Sequence, residues 1–148
     1  GTMQKELNEA AAAGFRFLKV MKGETGFGGD EIVSVLVRPV GQVEARYEYR
    51  LLATHKTGTM QKELQEAGDE GFEYRDQTIG GEVMTILERE IGAPVVKYEY
   101  RLLATKKTGT MQKELAEAGA DGFEFVGVTV AQTSFGGNEV VTILRRRR

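Results

Sequence analysis

From Tyr47 onward, apolar and polar positions alternate, with Tyr47, Tyr49, Leu51 and Ala53 on one side and Glu48, Arg50 and Thr54 on the other. A period of two predicts a half-buried strand, and Leu52 alone interrupts its polar face. The period then changes. Met60, Leu64 and Ala67 recur at i, i+4 and i+7, which predicts a short helix started by Gly58 or Thr59, with its apolar stripe on the sheet. Gly71 stands where a helix stops in the left-handed region, and Phe72 is placed to fold back on Leu64 or Ala67. Phe72 and Tyr74 next alternate with Glu73 and Arg75, and Gly80-Gly81 supplies a tight turn into Glu82-Val83-Met84, so a β-hairpin closes the module.

The pattern is repeated along the chain. Residues 98–119 match residues 47–68 except for Lys106 in place of His55 and Ala116 in place of Gln65. A third copy of the helical part opens at Gly1, and Gly14-Phe15, Gly71-Phe72 and Gly122-Phe123 mark the same ending in each copy. The β-branched runs at 32–37, 83–87 and 140–144 complete the hairpins, and the connectors at 39–45 and 91–96 hold the two prolines. The expected fold class is therefore α+β: tandem βαββ repeats, antiparallel sheet with short helices on one face. Residues 1–38 form an incomplete repeat, 47–90 a complete one and 98–148 a second complete one with an arginine-rich end, all in one pseudo-symmetric unit. The first copy begins at its helix and lacks the Tyr-Glu-Tyr-Arg strand. Its sheet edge is expected to be unpaired, inviting self-association, another protein, or pairing with upstream residues.

Composition narrows the function classes. In 148 residues, 41% are apolar and 28% charged, as in folded globular chains. A net charge of -2 supplies no field to gather nucleic acid, and no apolar run is long enough for a membrane helix, so neither partner is expected. Without cysteine there is no disulfide, thiolate nucleophile or thiolate metal site, and no cofactor or metal is expected.

Several residues could carry chemistry. Lys56, Thr57, Gly58 and Thr59, with Lys107, Thr108, Gly109 and Thr110, make basic, hydroxyl-rich turns into helices that could bind an anion. They lack the P-loop spacing, and capping is the simpler role. His55, the only histidine, faces Lys106 in the repeat alignment and reads as a solvated turn residue. Tyr47, Tyr49, Tyr98 and Tyr100 could stack bases, but their i, i+2 spacing places them on a core face. Phe27 and Phe135 at the longer hairpin tips are either exposed for a partner or folded onto a neighbouring module, and the second is favoured. The arginine run at 145–148 reads as a solvated tail or strand end. No catalytic residue emerges.

The Tyr-Glu-Tyr-Arg strand, the Met-x-x-Glu-Leu helix and the Ala-x-x-Gly-Phe-Glu ending resemble a bacterial family of short domains of unknown function. Members often carry Trp after the helix-ending glycine, where this chain has Phe15, Phe72 and Phe123. The resemblance implies a strand-helix-hairpin fold and brings no catalytic residue. The reading that follows is a non-enzymatic structural or protein-interaction repeat, with a small-ligand or anion-binding domain at the Lys-Thr-Gly-Thr turns as the alternative.

Overall fold

The alternation of periods along the chain becomes three helices and eight strands in the computed structural model, which describes residues 1–42, 45–79, 82–133 and 135–148. Module one comprises α1 (Thr2–Ala12), β1 (Arg16–Glu24) and β2 (Asp30–Val37). Module two comprises β3 (Tyr47–Thr54), α2 (Thr57–Asp69), β4 (Glu73–Gln77) and β5 (Val83–Glu90). Module three comprises β6 (Tyr98–Thr105), α3 (Thr108–Ala120), β7 (Glu124–Gln132) and β8 (Asn138–Arg147). The architecture is α+β with three small antiparallel sheets, ordered β1-β2, β3-β5-β4 and β6-β8-β7. The Gly80-Gly81 turn lies outside the described residues.

Each helix ends as its glycine predicts. Gly14, Gly71 and Gly122 have φ of 90°, 88° and 85°, and the following Phe15, Phe72 and Phe123 N–H groups reach back to the Ala10, Ala67 and Ala118 carbonyls at 2.9–3.0 Å. This is the Schellman arrangement. The helix starts differ from expectation. α2 and α3 begin two residues earlier, after Lys56 and Lys107, and no side chain caps them. The turn is closed instead by Thr54 and Thr105, whose hydroxyls donate to the Lys56 and Lys107 carbonyls at 3.4 and 3.2 Å.

The largest departure concerns what the helix stripe covers. Met60, Leu64 and Ala67 are buried, but their cluster joins Val83 and Leu87 of their own sheet to Tyr98, Tyr100, Val141 and Ile143 of the next module. Leu7 and Ala11 likewise pack with Tyr49 and Ile86. The modules thus stack, each helix and hairpin sealing against the sheet that follows, and one apolar core forms at each junction. The middle sheet is covered on both faces, which explains Leu52: it packs into the α2 cluster while Leu51, one residue earlier, packs toward module one.

The arginine run is no tail. It ends β8, where Arg145 pairs with Glu73 and Glu124, Arg146 with Glu99, and Arg148 with Asp69. A periodicity reading misses this because every acidic partner is distant in sequence.

Module three offers an internal control, since Leu115 occupies the place of Leu64 but is only half-buried. Leu64→Ala should lower unfolding free energy by about 3 kcal/mol and Leu115→Ala by about 1 kcal/mol or less, measured by urea denaturation. Equal losses would contradict a core located at the junctions.

Candidate functional site

A strand at a sheet edge carries an outer row of N–H and C=O groups that need partners. The outer edge of β6 finds them in two side chains four residues apart on α2. Tyr100 N–H donates to Gln65 Oε1 at 3.0 Å, Leu102 N–H donates to Gln61 Oε1 at 2.8 Å, and Gln61 Nε2 donates to the Tyr100 carbonyl at 2.8 Å. The amides stand in for a neighbouring strand. Gln4 and Asn8 of α1 do the same for β3, accepting from Leu51 and Tyr49 N–H at 2.9 and 2.8 Å while Asn8 Nδ2 donates to the Tyr49 carbonyl at 3.1 Å. Close approach is required for such short side chains to reach. At Gly68 a Cβ would lie 2.5 Å from the Tyr98 carbonyl oxygen, so the contact depends on glycine there.

The second tyrosine of each Tyr-Glu-Tyr segment adds a hook. Tyr100 Oη accepts from Tyr74 N–H at 2.6 Å and donates to the Phe72 carbonyl at 3.0 Å. Tyr49 Oη accepts from Phe17 N–H at 2.8 Å and donates to Glu88 Oε2 at 2.7 Å. Both N–H groups sit where β1 and β4 carry a register shift, so the bulge presents to the next module a donor that the ladder does not use. Burial pushes the Tyr49, Tyr74 and Tyr100 phenols well above their ordinary range, which keeps them neutral and able to donate.

Charge differs between the junctions in an ordered way. Arg16 of module one grips Glu88 of module two, Nη2 to Oε1 at 2.7 Å, and Glu88 is the only charged side chain buried among the described residues. One junction later the same two places hold Glu73 and Arg145, paired at 2.8 Å with the signs reversed. The Arg16 guanidinium pKa is lifted, chiefly by its hydrogen bond to the Glu88 carboxylate. A cavity of about 220 Å³ opens beside this pair, lined also by Tyr47, Glu73, Arg89 and Tyr98. Two of its arginines are paired, Arg16 with Glu88 and Arg89 with Glu48, and Glu90 and Arg147 also line it.

The residues singled out from sequence fall elsewhere. Both basic turns converge on Glu139: Thr57 Oγ1 donates to its carboxylate at 2.8 Å, and Lys107 and Thr108 line a shallow groove beside it. Lys56, Gly58, Thr59, Gly109 and Thr110 are exposed. An anion entering there meets a carboxylate already accepting from the threonine. His55 lies 3.7 Å from Glu82, both exposed. Phe27 and Phe135 do not fold onto a neighbouring module, being 104% and 100% exposed, because the glycines around each bring no apolar surface within its reach. Among the described residues no cluster of His, Cys, Asp or Glu could hold a metal, and no helix is long and apolar enough to cross a membrane.

No family model, curated protein or solved structure matches this chain. Its functional geometry is therefore read from the internal copies. The junction residues Gln4, Asn8, Gln61, Gln65, Arg16, Glu88, Glu73 and Arg145 were not legible as a site, because exposed-type side chains beside a helix stripe look like solvated surface. The one signal was the recurrence of Gln at positions 4, 61 and 112 next to each stripe methionine.

The buried pair has a direct test. Arg16→Glu alone should cost about 3 kcal/mol by placing a second carboxylate against Glu88, whereas adding Glu88→Arg should recover most of the loss, a coupling of about 2 kcal/mol in a denaturation double-mutant cycle. Additive effects would mean that the pair does not bind the modules together.

Proposed function

We propose that the chain is a non-enzymatic structural repeat that associates with further copies of itself through its first sheet. The observation that carries this reading is β2. Among the described residues it pairs with β1 alone, while the equivalent strands β5 and β8 are flanked on both sides. Its face is also open: Val35 is 38% exposed, whereas Ile86 and Ile143, which hold the same register position in the later modules, are 0% exposed. Val33 and Val37 extend this stripe, and Leu18 and Met21 of β1 are exposed as well.

An edge strand with an apolar face combines unused backbone hydrogen bonds with surface whose burial is favourable, and β-strand addition uses both. Val37 supports a partner different from those inside the chain, since its counterparts are the ion-pairing Glu88 and Arg145. The buried polar groups support the non-enzymatic reading, because Glu88, Tyr49 and Tyr100 are engaged in holding modules together. The resemblance to short bacterial strand-helix-hairpin domains accords with this and adds no chemistry.

Sedimentation equilibrium from about 10 µM to 1 mM should show mass rising with concentration, and Val35→Lys should shift the chain to monomer with unchanged circular dichroism. A wild-type chain that stays monomeric throughout would refute self-association through this sheet.

A further inference from the structure

The last module exposes the surface that the first two modules use to grip their neighbours. Phe125 is 60% exposed, but its counterparts Phe17 and Tyr74 are 1% and 6% exposed beneath Tyr49 and Tyr100. Val128 is exposed where Val20 and Gln77 are buried. Gln112 repeats Gln4 and Gln61, the side chains that bind a strand edge through its N–H and C=O groups, and it faces solvent. Gly119 repeats Gly68, yet a Cβ there meets nothing within 4 Å among the described residues. β7 also keeps its register shift after Phe125, the feature that presents an N–H to a tyrosine hydroxyl in β1 and β4. Helix, bulged strand and amide are thus assembled as at both internal junctions, and the glycine as at the second, where the first has the small Ala11.

We propose that the outer flank of α3, together with the start of β7, is a docking groove for an extended Tyr-Xaa-Tyr strand belonging to another module of this kind. The occupant is identified by the two copies of this contact already formed within the chain: α1 holds β3, and α2 holds β6, each through amides on its outer backbone edge and a tyrosine hydroxyl on the bulge. The inference extends the self-association reading but uses the opposite end of the stack. One difference from the internal junctions tunes the strength. Ala116 replaces Asn8 and Gln65, so the α3 groove offers one amide where the others offer two. It is a weaker form of the same clamp. Glu124 occupies the place of Glu73 but is already paired with Arg145 of its own sheet at 2.7 Å, so the groove is defined by its amide and apolar contacts rather than by a free charge.

The test uses the full chain, labelled with nitrogen-15, and a synthetic peptide of residues 97–107, Lys-Tyr-Glu-Tyr-Arg-Leu-Leu-Ala-Thr-Lys-Lys. Titration should move the Gln112 side-chain amide and the Gly119 and Phe125 backbone signals. Ala116→Gln, which restores the second amide on an exposed helix face, should tighten binding about tenfold. Gly119→Val should remove the shifts while leaving the free chain folded, because a stiff β-branched side chain has open space there until a strand arrives. The groove is refuted if millimolar peptide leaves these signals unmoved in the Ala116→Gln chain, or if Gly119→Val binds as wild type. Shifts confined to residues 32–37 would likewise overturn it, while supporting strand addition at β2. Failure of the first-sheet reading is separately visible as a chain that remains monomeric.

Discussion

Everything in this molecule depends on satisfying the outer edge of the Tyr-Glu-Tyr-Arg strand. Such a strand completes its own sheet through one edge and leaves the other with polar backbone groups that no further strand takes up. Glutamine and asparagine side chains from the preceding helix supply those partners, at 2.8–3.1 Å, and so bring the helix stripe down on the next sheet. The hydrogen bonds and the apolar core are one contact viewed from two sides. Breaking the amides would leave buried backbone groups unpaired and also loosen the packing of Met60, Leu64 and Tyr100.

Electrostatics then distinguishes junctions that are otherwise alike. With Arg16 facing Glu88 at one and Glu73 facing Arg145 at the next, exchanging modules one and two would bring like charges together. Arg16 and Arg145 also lie over aromatic rings, of Tyr47 and Tyr98, at 4.2 and 5.2 Å, and other arginines do the same. Arg50 and Arg89 flank Phe72 at 4.2 and 4.5 Å, and Arg101 and Arg146 flank Phe123 at 4.1 and 4.5 Å. Phe15 in module one has Arg38 at 4.8 Å. The Phe that follows each helix-ending glycine thus forms part of a cation–π sandwich wherever the Tyr-Glu-Tyr-Arg strand is present.

Local features were legible from periodicity, and distant ones were not. The stripe Met60-Leu64-Ala67, the Gly71-Phe72 ending and the longer first and third hairpins follow from spacing and from the conformations open to glycine. The same spacing says which face of α2 is apolar but not whether that face covers its own sheet or the next. Gln61 and Gln65 carry no mark of their role, because nothing local identifies an amide that pairs with a backbone 39 and 35 residues away. Leu52, Arg145 and Arg148 break the simple pattern, and all three are junction residues. The departures from regular patterning were the better guide to where modules meet.

The most direct test of this account is amide hydrogen exchange at Tyr100 and Leu102 in a Gln61→Ala, Gln65→Ala chain. Their N–H groups point away from β8 to the α2 amides, so both should be protected in the wild type and should exchange at least tenfold faster in the variant, with β8 amides less affected. Unchanged protection at Tyr100 and Leu102 would mean that the helix amides do not hold the strand edge, and the account of how these modules join would be wrong.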